Sequence, residues 1–586
     1  MHRSLRAYLS ALRAAGDLVE VEAEVDPRLE IAEIHRRVVA EGGPALLFRR
    51  PRGSAFPVAT NLFGTRARVE RAFGPRPFEL VREIASAARD LLPPTAGRLW
   101  AHRRLLFDTL RVGTKSVRSA PVLEVREAPR LSALPVLTSA PEDGGPFVTL
   151  PLVYTEHPDP RAGSGNLGIY RLQVFDDRTT GFHVQIGKGA GFHLHEAEAR
   201  GAALPVTVFL GGPPALTLAA VAPLPEGAPE LLLASLLRGS KLEMANVRGG
   251  GHRLVAEAEF ALRGRVPPRV RRPEGPFGDH YGYYSLRHDY PVLEIEEVCR
   301  RRDAIYPATV VGKPRQEDFH LGEWLQELLS PLFPLVMPSV VDLWSYGDAG
   351  FHSLAAAVVR DRYPREALVS AFRILGEGQL SLTKFLLLTD GRVDLRDFRA
   401  TLEHVLARAR FESDLFVFSC TSMDTLDYTG PRVNEGSKGL LAGLGAPVRE
   451  LPRKLVDWPR GVKVTAVFCP GCVVVSGPSY AEDREFASRL ARDPTLERWP
   501  LAVLVDDAVA TAASPEAFLW RVFTRFEPAA DLHAAEAVLV RHKPAYGAPI
   551  VIDARTKPGY PGEVEPDPET AKLVSRRWRE YFPTSR

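Results

Sequence analysis

The segment 271–285 reads RRPEGPFGDHYGYYS and places two carboxylates, Glu274 and Asp279, among three glycines, two prolines and four aromatic residues. Glycine and proline at this density favour a shaped loop over a regular helix or strand. Aromatic neighbours lower the local dielectric and change the proton affinity of a carboxylate, as acid or base chemistry at neutral pH requires. The alternative is an ordinary solvated turn, in which Glu and Asp are common.

The overall composition is that of an ordinary globular protein. The chain has 586 residues, 45% of them hydrophobic and 25% charged, so three or four domains are expected. Its 75 basic and 72 acidic residues are spread along the chain, which excludes the basic footprint of a nucleic-acid-binding protein. Four cysteines, with only Cys469 and Cys472 close together, favour a reducing cytoplasm over secretion.

The longest uncharged stretch, residues 204–225, reads LPVTVFLGGPPALTLAAVAPLP. It is long enough to cross a bilayer, but the glycines and prolines at 211–214 would break the hydrogen bonds of a lipid-facing helix. Two buried strands joined by a turn are therefore predicted, and no transmembrane segment is expected. The N-terminus also lacks the apolar run of a signal peptide.

Three domains are predicted from the changes in pattern along the chain. In residues 1–125 the apolar positions Ile31, Ile34 and Val38 recur at helical spacing and a strand-like run follows, which indicates a small α/β domain. Residues 126–330 contain short β-rich runs broken by Gly, Pro and Asp, which are typical of an antiparallel barrel. Residues 331–586 alternate strands and helices, as in parallel βαβ units, with Asp394 as a helix N-cap. No internal sequence repeat is evident.

Other chemistry-bearing residues have structural alternatives. Cys469 and Cys472 lie between two strand-like runs, which favours a hairpin turn with buried thiols over a redox pair or a zinc site. Arg171 offers a rigid set of donors for a carboxylate or phosphate, although a solvated surface arginine is the alternative. The histidines are as consistent with structural roles as with metal binding, and none is assigned as a ligand: His183, His193 and His195.

Six ordered segments together resemble the UbiD-like decarboxylase family: NLGIYR, LPVTVFLGGPP, LPEGAPELLLASLLRGSK, PEGPFGDHYGYYS, YPVLEIEEVCRRRDAIYPATVVGKPRQED and NEGSKG. The resemblance returns at VIDARTKPGYPGEVEPDPE. It implies reversible non-oxidative decarboxylation of an aromatic or α,β-unsaturated acid, with a central split β-barrel that binds prenylated flavin mononucleotide (prenylated FMN). A partner flavin prenyltransferase would make this cofactor. Because no side chain can delocalise the electrons left at an sp² carbon, the reaction needs such an electron sink.

The resemblance also implies roles for residues at matching positions. Arg171 and Glu274 correspond to an ion pair of the catalytic network, and Asp279 corresponds to the proton donor. Asn166 and Glu230 correspond to ligands of a divalent metal, typically manganese, that bridges the flavin phosphate; potassium is a further candidate cation. The positions that contact the cofactor are Asn166, Ile169, Tyr170, Arg171, His183, Val184, Gln185, Lys188, Gly189 and Lys438.

The sequence departs from the family pattern at two places. Lys188 stands where some members supply a histidine ligand, which leaves the third protein ligand of the metal open. Residues 446–548 separate Lys438 from the closing segment at Asp553 and are predicted to be an inserted α/β block.

Members with such an insertion suggest a substrate. With this insertion the chain resembles the decarboxylases of the futalosine route to menaquinone, which act on a dihydroxynaphthoate. The alternatives are a polyprenyl-hydroxybenzoate, a phenolic or heteroaromatic acid from catabolism, or a flavin-binding scaffold without catalysis. A homo-oligomer, either a dimer or a hexamer, is expected.

Overall fold

The computed structural model describes residues 1–583 apart from 92–94, 104, 106–110, 160, 162–164, 185–188 and 225–226. The chain divides into two compact units, which are described separately. Unit 1 comprises Met1–Leu328 and Gly562–Arg586, and unit 2 comprises Leu329–Pro561. Both contain helices and sheets, so the predicted mixed α/β architecture with several domains is confirmed.

The main sheet of unit 1 has eight strands in the described residues. Its longest strand, His288–Arg300, pairs with Thr179–Gly181, Phe260–Val266, Arg271–Glu274 and Val125–Glu127, and all four pairings are antiparallel. From Phe260–Val266 the sheet continues through Leu204–Leu210, Leu152–Glu156 and Gly165–Ile169. No pairing among the described strands closes this sheet on itself, so the split barrel stays a prediction.

Smaller sheets and helices surround this main sheet. One smaller sheet has the four strands Leu18–Val25, Ala45–Pro51, Val58–Thr60 and Tyr306–Pro307, and another has the three strands Leu254–Val255, Leu242–Ala245 and Thr114–Val117. Two further sheets have two strands each: Phe277–Gly278 with Tyr284–Ser285, and Phe147–Val148 with Leu172–Gln173. The α-helices are Leu5–Ala14, Glu30–Ala40, Arg66–Phe73, Arg76–Asp90, Ala96–Ala101, Gly189–Ala199, Pro214–Val221, Glu230–Arg238, Glu317–Leu329 and Pro568–Tyr581, and short 3₁₀ turns occur at Pro121–Leu123 and Leu131–Ala133.

The uncharged stretch 204–225 contains one strand and one helix rather than the two predicted strands. Leu204–Leu210 is the strand, and Pro214–Val221 is the helix. Pro214 suits the first helical turn because its fixed φ is helical and its missing N–H is not needed there. Residues 214–219 are all buried, so the helix shows no amphipathic pattern in the sequence. Among the described residues, no helix combines the length and apolarity needed to cross a membrane.

Unit 2 contains two five-stranded sheets with the same strand order. In each sheet the first two strands pair in antiparallel fashion and the next two pairings are parallel. The last strand lies at the edge and pairs in antiparallel fashion. The first sheet runs Val340–Ser345, Leu354–Val359, Phe385–Thr389, Glu435–Gly443 and Leu415–Ser422. The second runs Val464–Cys469, Cys472–Ser476, Leu501–Leu504, Lys543–Asp553 and Leu532–Val540.

The connections between these strands repeat as well. The first half has helices Phe333–Val336, Glu366–Ile374, Phe398–Arg408 and Phe411–Asp414, with 3₁₀ turns at Ser330–Leu332, Gly347–Ala349 and Gly378–Leu382. The second half has helices Phe486–Leu490, Ala508–Ala512, Pro515–Phe523 and Pro528–Asp531, with a 3₁₀ turn at Pro494–Leu496. In each half an aspartate at the end of the last short helix accepts the N–H four residues earlier: Asp414 from Arg410, and Asp531 from Glu527. Unit 2 is therefore a structural repeat that the sequence did not make evident.

The helix predicted from Asp394 begins later than expected. It spans Phe398–Arg408, and its N-cap is Asp397, which accepts the N–H of Ala400. Asp394 instead accepts the N–H of Arg396 in the preceding turn. Both aspartates can cap a backbone N–H, so the residue type alone did not distinguish them.

The two halves of unit 2 share one apolar core. Phe398 from the first half lies near Phe468 and Phe518 from the second, and the rings of Phe468 and Phe518 stack with centroids 3.9 Å apart. Cys469 and Cys472 face each other across the hairpin that follows Phe468, and both thiols are free and buried, as predicted. Packing between the halves therefore stabilises unit 2 as a whole.

Replacing Phe518 by Ala is expected to lower the free energy of unfolding of unit 2 by about 3–5 kcal/mol, because it empties a buried ring position. Urea denaturation followed by circular dichroism would measure the change. The control is Val509→Ala, at a site that is 62% exposed, where a change within about 0.5 kcal/mol is expected. Equal effects of the two substitutions would contradict a shared core.

Candidate active site

The segment 271–285 folds as a strand, a tight turn and a short hairpin. Glu274 ends the strand Arg271–Glu274 and pairs with His288 of the longest strand. Gly275 has a φ of +97°, a backbone conformation that favours glycine. Phe277–Gly278 then pairs with Tyr284–Ser285, so Asp279 lies at the start of the hairpin turn. The glycines and aromatic residues thus hold the two carboxylates at fixed positions on one loop.

Side chains from neighbouring segments fix this loop. Gln173 accepts the N–H of Gly275 at 2.8 Å and donates to the carbonyl of Gly144 at 2.7 Å. Asp143 accepts the N–H of Gly278 at 2.8 Å, together with two N–H groups of its own turn. Hydrogen bonds on both sides of Phe277 therefore restrain the loop between Glu274 and Asp279.

Arg171 joins the two carboxylates. Its Nε and one terminal nitrogen donate to Oε1 of Glu274 at 3.1 and 3.0 Å, and its other terminal nitrogen contacts Oδ2 of Asp279. The guanidinium also donates to Ser285 Oγ at 3.0 Å and lies over the ring of Phe277 at 4.7 Å. The planar guanidinium therefore fixes the distance and orientation between Glu274 and Asp279.

A histidine contacts the second oxygen of each carboxylate. His183 Nδ1 lies 3.1 Å from Oε2 of Glu274, and its ring packs on Tyr290 with centroids 4.4 Å apart. His280 Nδ1 lies 2.8 Å from Oδ1 of Asp279. Because an ionised carboxylate can only accept, both Nδ1 atoms carry the hydrogen of these bonds.

Burial and charge act in opposite directions on the acids. Burial by itself raises the pKa of Glu274, but Arg171 and then His183 bring that pKa below its usual value. Burial likewise opposes ionisation of Asp279, yet Arg171 and His280 hold its pKa well below the usual range. Burial lowers the pKa of His183, with a further contribution from Arg171. At neutral pH the centre therefore contains one cation between two carboxylates, beside a neutral His183.

A second group of predicted residues lies together around the strand Gly165–Ile169. The Tyr170 hydroxyl lies 3.4 Å from Nδ2 of Asn166 and 3.5 Å from the N–H of Ala190, at the start of the helix Gly189–Ala199. Glu230 accepts the N–H of Leu167 at 2.8 Å. A Cβ atom at Gly189 would meet Asn166 Oδ1 at 2.1 Å, so glycine at this position lets Asn166 keep its place beside the helix.

This group suits a cation beside a phosphate. Burial raises the pKa of Glu230, and among the described residues its partners are backbone N–H groups rather than a basic side chain. A metal ion would supply the missing positive charge, and the carboxylate and amide oxygens are donors that a hard divalent cation accepts. The N-terminus of the adjacent helix favours a phosphate. The described residues contain no cluster of three His, Cys, Asp or Glu arranged around one metal position.

The remaining predicted cofactor contacts are distributed as follows. Ile169 ends the strand next to Tyr170, and Val184 follows His183. Gln185 and Lys188 lie outside the described residues. Lys438 belongs to unit 2, where its ammonium donates to the carbonyls of Ser381 and Thr383 at 2.6 and 2.8 Å. Burial lowers the pKa of Lys438 to about 8, against the effect of Asp427.

Sequence reasoning missed Gln173, Asp143 and Ser285, which position the loop and Arg171. Two signals could have found them. Gln173 lies two residues after Arg171, so in an extended chain both side chains point to the same face. Ser285 closes the quoted segment itself. Asp143 is distant in sequence and gives no comparable signal.

Comparison with family models assigns most of the chain to one family. Three models for 3-octaprenyl-4-hydroxybenzoate carboxy-lyase match: its N-terminal domain at residues 9–88, its Rift-related domain at 114–314 and its C-terminal domain at 319–443. The C-terminal match ends with the first sheet of unit 2, so the second sheet lies outside the three matched ranges.

Individual proteins are similar over long stretches. A Chlamydia pneumoniae protein named as a subunit of 4-hydroxybenzoate decarboxylase is 51% identical over 582 residues, which cover 99% of this chain and 98% of that protein. The UbiD-class enzyme HmfF from Pelotomaculum thermopropionicum, solved in complex with FMN, is 26% identical with a TM-score of 0.63, covering 78% of this chain and 96% of HmfF. An evolved dimeric form of HmfF in complex with prFMN is 25% identical, with a TM-score of 0.62 over 77% of this chain and 97% of that one.

Replacing Arg171 by Met is expected to destabilise the protein by about 3–5 kcal/mol at pH 7.5, because two buried carboxylates lose their cation. In the wild type the pKa values of Glu274 and Asp279 are lower in the folded than in the unfolded chain. This difference stabilises the fold above the pKa values of the unfolded chain, and the stability is lost as the pH falls toward the folded values. In the variant burial raises both pKa values, so acidification removes the unfavourable charges. The difference from wild type should therefore shrink between pH 7.5 and pH 5, as measured by urea unfolding.

The matched control for this substitution is Arg265→Met. Arg265 is half exposed and pairs with Glu294 and Glu296 at 3.4 and 3.3 Å. An exposed pair contributes about 0–1 kcal/mol, so this variant should unfold almost like wild type at both pH values. A pH-independent loss in Arg171→Met would contradict the charge argument.

Proposed function

We propose that this chain, which belongs to the UbiD family of carboxy-lyases, decarboxylates an aromatic carboxylic acid with prenylated FMN as its cofactor. The observation that carries the proposal is the buried arrangement in which Arg171 lies between Glu274 and Asp279. FMN in HmfF and prFMN in its evolved form support the choice of cofactor. When bound, the cofactor supplies the electron sink that the amino acids lack.

The side chains of the centre divide the remaining work. Arg171 keeps Glu274 ionised and in place, and the one N–H of its guanidinium that these bonds leave over can donate to the carboxylate of the substrate. Asp279 delivers the proton that replaces CO2 at the ring carbon. Phe277 and the other aromatic residues of the hairpin keep water away from the reacting carbon. Reversal of the same steps would carboxylate the product.

The cofactor phosphate and its metal are assigned to the second group of residues. Asn166 and Glu230 would hold a divalent cation, with manganese as our first choice and potassium as a further candidate. Tyr170, Gly189 and the start of the adjacent helix would line the phosphate. The other contacts proposed for the cofactor are Ile169, His183, Val184, Gln185, Lys188 and Lys438.

The proposed substrate is a dihydroxynaphthoate of the futalosine route to menaquinone, because the chain carries the additional block at residues 446–548. A phenolic acid such as 4-hydroxybenzoate is the alternative, supported by the name of the Chlamydia pneumoniae relative. A polyprenyl-hydroxybenzoate or a heteroaromatic acid would use the same chemistry. Comparing product formation from these acids would distinguish the four substrates.

We assign residues 1–125, 126–330 and 331–586 to an N-terminal domain, a split-barrel cofactor domain and a C-terminal domain. Residues 446–548 contribute no catalytic side chain in this proposal. The strand registers show only that the second sheet has no counterpart of Lys438: this lysine corresponds to Pro549, since Phe385 pairs with Gly439 and Leu501 with Ile550. We also propose that the protein is a cytoplasmic homo-oligomer and that a flavin prenyltransferase supplies its cofactor. The free cysteine thiols suit the reducing compartment of this proposal.

Activity is expected to depend on the prenylated cofactor. Protein freed of flavin should not decarboxylate any of the proposed acids, and plain FMN should not restore activity, because only the prenylated form is the required electron sink. Loading with prenylated FMN and Mn²⁺ should restore activity, measured as CO2 release and product formation. Equal turnover by flavin-free protein would refute the proposal.

The second functional prediction concerns Asp279. Asp279→Asn keeps the size and most hydrogen bonds but removes the transferable proton, so turnover should fall by roughly 10²-fold while flavin loading persists. Exchange of the product ring hydrogen with deuterated solvent should fall in parallel. Glu274→Gln should also reduce turnover, because Arg171 loses its charged partner.

The control is Asp289→Asn, an exposed aspartate on the longest strand of unit 1, which should leave both rates unchanged. If Asp279→Asn decarboxylates and exchanges at the wild-type rate, the acid is another group, and Glu274 and His280 are the next candidates. Full flavin binding with no turnover on any acid by wild-type protein would instead favour the non-catalytic scaffold.

A further inference from the structure

The charge state of Asp279 raises a problem for its proposed role. Arg171 and His280 hold the pKa of this carboxyl well below its usual range, so Asp279 is ionised at neutral pH before the reaction begins. An ionised carboxylate has no proton to give. The proton that replaces CO2 must therefore reach Asp279 from a neighbouring acid during each turnover. The inference below rests on the function proposed above.

The contacts of Asp279 restrict the choice of that acid. Oδ2 contacts Arg171, which does not lose its proton in proteins. Oδ1 accepts from Nδ1 of His280 at 2.8 Å and from the backbone N–H of His280 at 2.7 Å. Of these partners only the imidazole exchanges a proton readily near neutral pH.

Solvent access also distinguishes the two histidines of the centre. The His280 side chain is 27% exposed, whereas His183 is 9% exposed and its partner Glu274 is fully buried. His280 therefore lies between solvent and the buried carboxylate. A second acid faces it from the helix Glu317–Leu329: burial raises the pKa of Asp318, and the charge of His280 opposes that rise.

From this geometry we infer that His280 is a proton relay that recharges Asp279 from solvent in each catalytic cycle. The carboxylate of Asp279 contacts the imidazole, and the ring of Tyr281 lies beside it with centroids 5.0 Å apart. Asp318 interacts with the imidazole electrostatically. Two acidic neighbours favour the imidazolium form. In this role His280 supplies the proton to Asp279 and does not itself touch the substrate.

The proton and electron balance of one cycle is complete. The bond between the ring carbon and the carboxylate breaks, CO2 leaves, and the electron pair stays on the substrate, for which the bound cofactor would serve as electron sink. Imidazolium Nδ1–H passes its proton to Oδ1 of Asp279, and Asp279 gives it to the ring carbon as the C–H bond forms. One proton from solvent then restores the imidazolium, so Asp279 and His280 end the cycle as they began.

The test is His280→Asn in the full-length holoenzyme, because the asparagine amide keeps a hydrogen-bond donor near Asp279 but cannot carry a proton onward. We expect kcat to fall by roughly 10²-fold, the lower end of the range for a lost proton transfer, with KM nearly unchanged. CO2 release in a single turnover should persist while hydrogen exchange of the product slows. Added imidazole should restore part of the rate.

The matched control is His542→Asn. His542 is exposed at a turn of unit 2 with a φ of 63°, a conformation that Asn tolerates. This variant should behave as wild type and show no response to imidazole. If His280→Asn retains wild-type exchange and turnover, or if imidazole restores nothing, His280 is only structural and the relay is refuted.

A second measurement is independent of the substrate. In ¹⁵N-histidine NMR spectra of the holoenzyme recorded over a pH series, His280 should change between imidazolium and neutral imidazole, and Asp279→Asn should shift this transition to lower pH by removing one of its two acidic neighbours. A His280 ring that stays neutral throughout would refute the relay. An enzyme inactive on every acid would refute the proposed function and the catalytic role of His280 with it, whereas an active enzyme whose His280 ring stays neutral would refute the relay alone.

Discussion

The ion triad of Arg171, Glu274 and Asp279 is the interaction on which the rest of the site depends. Placing two carboxylates in a buried loop is unfavourable unless a cation lies between them. Arg171 meets this condition with three nitrogens in one plane, and Gln173 and Asp143 hold the loop to which the carboxylates belong. The ionisation of the two acids and the distance between them therefore follow from one guanidinium, whereas Gln173 and Asp143 restrain the shape of the loop.

Unit 2 shows how the chain combines the family pattern with a second copy of the same topology. Its two halves have the same strand order and share one apolar core, and each has an aspartate that accepts an N–H at the start of its last short helix. The position of Lys438 in the first half is occupied by Pro549 in the second. Phe468 and Phe518 stack where the halves meet. The second half thus provides packing surface for the first, and its own sheet carries no counterpart of that lysine.

Much of the fold was predictable where local signals were strong. Helical spacing from Ile31 to Val38 predicted the helix Glu30–Ala40, and the CPGC sequence predicted the hairpin of Cys469 and Cys472. Prediction failed where local signals were ambiguous. The uniformly apolar stretch after Leu210 could not reveal its helix, and Asp394 and Asp397 were equally good caps. The repetition in unit 2 lies in its strand order and pairing, which are tertiary properties and need no matching residue pattern in the sequence.

The sequence by itself determined the chemical groups and the loop that carries them: Glu274 and Asp279 among glycines and aromatic residues, with Arg171 as the matching cation. These are local or motif-level properties, carried by residue type and order. Only the tertiary structure decided which partner each oxygen has, that His280 connects Asp279 to solvent, and that Gln173 and Asp143 restrain the loop. Such contacts join segments far apart in the chain, and their geometry is set by how strands pair and side chains pack, which residue identities alone do not specify.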